Sequence, residues 1–409
     1  MLKKIIILLS LLPLLAACHD GEDTPSPNLR EDISLTRGEQ LLLDANTDFS
    51  FRFFRQVCHT EQAGKNLFVS PLSASLCLSM MANGAAGNTL AEMQTVLGFP
   101  AATATLDDLN AYNRKLTTAL LSLDNTTRIG IANSIWVRQG FNLHAPFADL
   151  NRKIYDAQVQ ELDFNSPSAV KTINDWCAQQ TNDCIKEVIQ EIPGSMCLYL
   201  INALYFKGMW KEPFKKDRTR QEDFTNADGT LSKVDMMNQN NSFSYTLTPS
   251  FSIAELPYGN SAFSMVLLLP AAGKTLDESL AELTADNWKE WSSSMTYRPL
   301  ELKLPRFKLN YKKSLSLDMI DMGMKDAFDG AAADFSGISD SRLAIGLLDQ
   351  FTYVNVDEEG TEAAAVTVGG TYATSVPQYI PFHADSPFAF MIREKSTGAI
   401  LFMGKIVKL

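Results

Sequence analysis

The stretch DEEGTEAAAVTVGGTYATSVP, residues 357–377, stands just ahead of the last strands of a 409-residue chain. Three acids and a glycine open it, followed by small residues, two valines, a glycine pair and threonines. It is too polar and glycine-broken for a core helix, and too rich in Val and Thr for a plain linker. Read as a strand, every second residue from Thr361 is small: Ala363, Ala365, Thr367, Gly369, Thr371 and Ala373 follow it. The other face carries Glu362, Val366, Val368 and Tyr372. A small-residue face lets a segment slide between strands already in place without overpacking the core beneath. Residues 358–374 would extend about 56 Å at roughly 3.3 Å per residue. That is very long for a strand and costly as a permanently exposed loop. Composition alone favours a flexible surface loop or linker. A loop that becomes a strand only when triggered accounts for both features.

Outward from this stretch, FAFMIREKSTGAILFMGKIVKL reads as two closing strands around a Ser-Thr-Gly turn. Upstream, from about Asp223, strands dominate (KVDMMNQ, FSIAELPYG, FSMVLLLP, LELKLPRFKLNYK), with one helix, SLSLDMIDMGM, between them. The first half is helical. NTDFSFRFFRQVCH spaces Phe49, Phe53 and Val57 for a helix capped at Asn46 or Thr47. NLFVSPLSASLCLSMMANGA predicts a short strand, a Ser-Pro helix start and an apolar helix ending near Gly84. TLAEMQTVLGF predicts a helix stopped by Gly98. SMCLYLINALYFKGMW reads as a long buried strand. Helices crowd the first half and strands the second without βαβ alternation, which defines an α+β fold. No repeat and no linker follows about Leu35, so one large domain is expected.

With 45% hydrophobic and 20% charged residues the chain can bury a large core. A net charge of −11 and the lack of any basic stripe argue against nucleic-acid binding and against a polyanion or glycosaminoglycan site. Catalytic motifs are missing. There is no G-x-S-x-G elbow, H-E-x-x-H, C-x-x-C, P-loop or G-x-G-x-x-G. His59, His144 and His383 are the only histidines of the body, and nothing around them completes a triad. No enzyme, metal site or cofactor is expected. The five body cysteines, an odd and scattered set, read as free thiols; Cys177 and Cys184 on one helix would be too far apart to bridge.

The first residues, MLKKIIILLSLLPLLAAC, are a secretory signal: two lysines, an apolar run and small residues before Cys18. Two readings fit, an ordinary signal with an incidental cysteine and a bacterial lipoprotein signal (1–17) with Cys18 lipidated. The Pro- and acid-rich tether over residues 18–36 suits the second. It implies an exported lipoprotein held by a lipid anchor at the outer membrane or cell surface. Asp20, Glu22 and Asp23 resemble surface-export signals of some Gram-negative lipoproteins.

From about Arg37 to the end the chain resembles a serpin, a serine protease inhibitor. EEGTEAAA (358–365) is very close to the hinge of that family's reactive-centre loop. NLFVSPLSASLCLSMMANGA resembles its second helix, NALYFKGMWKEPF its central-sheet strand and turn, and FHADSPFAFMI with LFMGKI its closing strands. The resemblance implies three β-sheets, eight or nine helices, and an exposed loop over about 358–377 in a domain of residues 37–409. It implies a monomeric suicide inhibitor: a serine protease attacks the loop, and the cut loop inserts into the central sheet before the acyl-enzyme hydrolyses. Glu358, Gly360, Thr361, Ala363 and Ala365 match the hinge, Ser70, Ser73 and Asn202 the polar shutter beneath the central strands, and Trp210 the breach where insertion begins. Gln350 stands where inhibitory members commonly add a histidine. As ordinary core residues the shutter set would be helix-capping and buried hydrogen-bonding groups, and Trp210 plain packing.

Counting from the hinge, the resemblance puts the scissile bond at Thr374–Ser375, with Tyr372 and Ala373 as near alternatives. Counting back from Pro387 and Phe388 moves it to Val376–Pro377. No Lys or Arg occurs from Gly360 through Pro387, so trypsin-like targets, which need a cation, are disfavoured. Elastase-like, subtilisin-like and chymotrypsin-like proteases remain. The alternative is a non-inhibitory binding protein whose loop is only a substrate.

Overall fold

The structure, a computed structural model, describes residues 26–99, 102, 104–361 and 378–409. Cys18, the signal segment, Ala363, Ala365, and the bond candidates Tyr372, Ala373, Thr374, Ser375 and Val376 lie outside the described residues. Nine α-helices are seen among them: α1 Arg37–Thr60, α2 Pro71–Ala82, α3 Gly87–Leu97, α4 Leu106–Leu120, α5 Ala145–Tyr155, α6 Ser168–Gln180, α7 Leu276–Ala281, α8 Ala285–Ser293 and α9 Ser316–Asp321. The strands are β1 Leu67–Val69, β2 Thr127–Arg138, β3 Gln158–Leu162, β4 Leu198–Met209, β5 Arg220–Thr225, β6 Leu231–Leu247, β7 Phe251–Pro257, β8 Phe263–Pro270, β9 Thr296–Pro305, β10 Phe307–Ser314, β11 Asp349–Val356, β12 Gly360–Thr361, β13 Ile380–His383, β14 Phe388–Glu394 and β15 Ile400–Ile406.

Local chemistry places the first helices. Thr36 caps α1, accepting from the Glu39 amide while the Glu39 carboxylate accepts from the Thr36 amide. This corrects the expected cap at Asn46 or Thr47, which lie inside the helix: nothing in RGEQLLLDANT breaks a helix, so it starts at the earlier capping box. Thr47 there bonds back to the Leu43 carbonyl, and Asn46 reaches Ser75 on α2. In α2, Ser70 caps the Ser73 amide and Pro71 takes the first turn. All twelve α2 residues are buried. A helix without a polar face, its serines Ser75 and Ser79 bonding back to the Leu72 and Ser75 carbonyls, belongs at the centre of a core. Gly98 stops α3 at φ +80°, with the Ala45 carbonyl 3.2 Å from where a Cβ would stand.

Two continuous sheets are formed among the described residues. The six-stranded sheet runs β10-β11-β12-β4-β2-β3. The other runs β1-β15-β14-β8-β7-β6-β9-β13, with β5 also on β6. Its two halves share the long β6, which pairs with β9 from Met236 to Tyr245 and with β7 from Ser244 to Leu247. The three expected sheets are thus one separate sheet and two joined by a common strand. Helices α7 and α8, absent from the sequence reading of this half, interrupt the strands. On β4, alternation splits two cores: Leu204 and Phe206 face the main core, whereas Tyr199, Ile201 and Ala203 pack under α6. Trp136 and Trp176 close that second core edge-to-face at 5.9 Å. Helix α6 ends at Gln180, so Cys184 is off the helix; Cys58, Cys77, Cys177 and Cys197 are free thiols.

Candidate functional site

The quoted stretch enters the structure where β4 ends. Asp357 turns the chain: its amide donates to the Gly360 carbonyl at 2.9 Å, and its carboxylate accepts the Glu359 and Gly360 amides at 3.0 and 3.2 Å. Gly360 and Thr361 then form β12 between β11 and β4. Thr361 pairs with Val356 on one side and Gly208 on the other, and Gly360 pairs with Met209. Only glycine fits position 360, because a Cβ would stand 2.1 Å from the Gly208 carbonyl oxygen. Thr361 is 2% exposed and shares a 2.8 Å hydrogen bond with the Tyr258 hydroxyl.

Trp210 follows β4 directly and grips this turn twice. Its amide donates to the Glu359 carbonyl at 2.8 Å, and its indole N–H to the Asp357 carbonyl at 2.9 Å. The ring stacks on Tyr258 with centroids 4.5 Å apart. The Phe214 amide takes the Glu358 carbonyl.

Ion pairs lock the acids. The buried Glu358 carboxylate accepts from Arg306 and from Thr219, each at 2.6 Å. Arg306 also holds Asp235 at 3.1 Å, and Lys216 pairs with Glu359. Burial would raise the Glu358 pKa, but these donors outweigh it and hold the carboxyl below its ordinary range. Asp357 moves the other way, raised by burial and by the neighbouring Glu359 and Glu358 charges.

Further along β11, Gln350 clamps the start of α2. Its Oε1 accepts the Ser70 amide at 2.9 Å and its Nε2 donates to the Ser70 carbonyl at 2.8 Å. The Ser70 hydroxyl donates to the Leu401 carbonyl on β15 and accepts the Ser73 amide. Ser70, Ser73 and Gln350 are therefore brought together. Asn202 belongs to another pairing: its Nδ2 donates to Asn133 on β2, 2.5 Å away, and Asn133 in turn reaches the Tyr155 carbonyl. The Asn202 Oδ1 is buried without a partner among the described residues. The histidines lie apart from this site. His59 is in the last turn of α1, His144 caps α5 and faces Asp340 at 3.2 Å, and His383 ends β13, 3.7 Å from Glu301.

The sequence reading missed Tyr258, Arg306, Thr219 and Lys216. Tyr-Gly at a hairpin turn and an arginine between two strands were signals of position, not of partnership. Only the fold brings them to residues 357–361.

On one side β4 pairs with β2 along its length; on the other, among the described residues, it pairs only with β12, at Gly208 and Met209. Likewise β11 pairs along its length with β10 but meets β12 only at Val356. Two hydrogen-bonding edges thus face each other with two residues of strand between them. A cavity of about 200 Å³ lies at their foot, lined by Leu198, Leu200, Leu347 and Leu348 among others.

The family model for serpins (serine protease inhibitors) matches residues 44–409, and the chain belongs to that family. Bovine antithrombin-III is 33% identical over 376 residues, covering 89% of this chain and 81% of that protein. Human leukocyte elastase inhibitor is 33% identical over 380 residues, 89% of this chain and 98% of its own. The native structure of a thermophilic serpin, tengpin, superposes with a TM-score of 0.83 at 29% identity, over 95% of this chain and 98% of that one. Thyroxine-binding globulin in complex with thyroxine superposes at 0.80 with 26% identity, over 90% and 99%. The family thus holds protease inhibitors and members that are not.

Proposed function

We propose that this chain is a covalent-trapping inhibitor of serine endopeptidases of the elastase-like, subtilisin-like or chymotrypsin-like kind. One observation carries the reading: Gly360 and Thr361 already occupy the first two places of a strand between β4 and β11, and among the described residues no strand pairs with the facing edges beyond them. A strand of about ten residues filling that gap adds backbone hydrogen bonds of roughly 0.5–1.5 kcal/mol each, a total on the order of 10 kcal/mol. That is enough to drive a one-way change. The protease serine oxygen attacks the Thr374 carbonyl carbon, the C–N bond to Ser375 breaks, the serine hydroxyl proton passes through the protease's own base to the departing Ser375 amine, and an ester joins the two proteins. Insertion of the freed strand then carries the protease away before water cleaves the ester. The chain acts as a monomer and as a substrate that traps, not as a catalyst. The N-terminal signal supports export as a bacterial lipoprotein anchored through Cys18 at the outer membrane or cell surface, where it guards the cell against proteases. Labelling with a fatty-acid probe in cells, lost in Cys18→Ala, tests the anchor; label retained by that variant would refute it.

A binding-protein reading has one observation in its favour, a cavity of about 750 Å³ between α1, α8 and the β14–β15 turn, with Arg52, Arg55, Lys289 and Lys395 among its lining residues. Thermal unfolding before and after limited cleavage of the loop separates the two. An inserting loop raises the transition by tens of degrees, whereas a loop that is only a substrate leaves it within a degree or two.

A further inference from the structure

Residues 26–33 run across the surface ahead of α1 and are fastened at a place that bears on loop entry. The Asn28 amide donates to Asn125 Oδ1 and its Oδ1 accepts the Asn125 amide, both at 3.0 Å, a reciprocal pair like one rung of a β-ladder. Asn125 Nδ2 also holds the Ser26 carbonyl. Asn28 Nδ2 donates to the Leu123 carbonyl at 3.2 Å, and Asn260 Nδ2 reaches both that carbonyl and Asn28 Oδ1, at 2.8 and 3.2 Å. Arg30 donates to the Ser261 carbonyl at 3.2 Å, and the Ile33 amide to the Ser396 hydroxyl.

Asn260 and Ser261 are the turn between β7 and β8, and that turn also forms the wall of the hinge site. Residue 258 is the tyrosine that stacks on Trp210 and bonds Thr361. The Gly259 amide holds the Met209 carbonyl at the end of β4, and Lys211 reaches the Ser261 hydroxyl. The turn itself is strained into place: Gly259 has φ +38° and Ser261 φ +74°. A Cβ at Gly259 would meet Asp124 Oδ2 at 2.1 Å. A non-glycine residue at positive φ persists where surroundings over-determine it. Here the surroundings are Asp124, whose Oδ2 accepts the Asn260 amide, and the arm's own Arg30.

We infer that residues 26–33 are a strap that holds the β7–β8 turn, and through Tyr258 the Trp210 end of β4, against loop entry. The N-terminal segment thereby sets how readily the gap between β4 and β11 opens. Its consequence for inhibition rests on the proposed function, but its geometry does not.

The test uses the full chain with Asn28→Ala, Arg30→Ala and, as control, Leu29→Ala, whose side chain is 89% exposed. Native-state hydrogen exchange is followed in peptides covering 206–214 and 256–262, with α2 peptides as reference. The strap predicts exchange about three- to tenfold faster at Trp210 and Gly259 in Asn28→Ala, smaller changes in Arg30→Ala, and none in α2 or in Leu29→Ala. The rate of heat-induced conversion to a form resistant to loop cleavage rises by the same factor. Faster exchange confined to the arm and Asn125, with Trp210 and Gly259 unchanged, overturns the inference. Should Asn28→Ala fail to fold, Arg30→Ala, which loses one bond to a backbone oxygen and an exposed pair with Asp32, decides alone. Faster exchange at Trp210 without any protease trapping would keep the strap and remove the inhibitor reading.

Discussion

Replacing Arg306 by alanine strips the buried Glu358 carboxylate of its cation and leaves it one hydrogen bond from Thr219. Breaking a buried ion pair by removing one partner costs about 3–5 kcal/mol. The Arg306 side chain is 43% exposed, so screening reduces this, and about 2 kcal/mol is expected at neutral pH. The pH dependence identifies the cause. In the parent protein Glu358 titrates below its ordinary value, so its contribution is present above about pH 4.3 and is lost as pH falls through the folded value. In Arg306→Ala burial remains and the counter-charge is gone, so the Glu358 pKa rises above normal and its ionised form destabilises. That cost disappears as pH falls through the raised value. Asp357, already raised, gains stability on acidification in both proteins, and because Arg306 also interacts with it, the loss of that cation moves Asp357 in the same direction as Glu358. Thermal unfolding from pH 7.5 to 4 should show Arg306→Ala about 2–5 °C below the parent at neutral pH, with the gap closing toward pH 4. Adding Glu358→Gln should recover most of the loss. A gap of constant size across that range, or no recovery in the double variant, would refute the electrostatic account of this lock.

Gln350→Ala leaves the Ser70 amide buried without its acceptor, and chemical denaturation should show a loss of about 1–3 kcal/mol. Gln350→Glu, which keeps an acceptor but loses the bond to the Ser70 carbonyl and buries a charge, should be no better at neutral pH. Gly360→Ala forces a Cβ to within 2.1 Å of the Gly208 oxygen, so β12 should leave its seat. Tryptophan fluorescence and exchange at the Trp210 amide would both report it, and an unchanged signal in both would show that the seat tolerates a side chain.

Much of this fold was legible because its decisive segments are locally consistent. Ser70 followed by Pro71 and a run of apolar residues and serines, all buried, leaves one place for α2, and Gly98 in the left-handed region marks the end of α3 as read. The α1 start was misread because Asn46 and Thr47 look like caps, yet no break separates them from the true capping box at Thr36 and Glu39. Helices α7 and α8 were missed because each is a few turns long and lies among strand-like runs. At the site, Gly360, Thr361, Trp210, Ser70 and Gln350 came from linear motifs. Tyr258, Arg306, Lys216 and Asn28 could not, because their roles arise from contacts across 50 to more than 200 residues of chain. Asn202 shows the opposite limit: a motif places it beneath the central strands, but its bond goes to Asn133.

Under the proposed function a protease which cuts the loop stays covalently attached. Purified chain from Ser26 onward, mixed with neutrophil elastase, pancreatic elastase, subtilisin, chymotrypsin and trypsin, would be run on denaturing gels with mass spectrometry of the products. A band at the summed mass, stable to detergent, is expected for at least one of the first four enzymes. A released peptide beginning at Ser375 should accompany it, and trypsin should give no such band. Clean cleavage of the loop by every enzyme without a covalent band would contradict it.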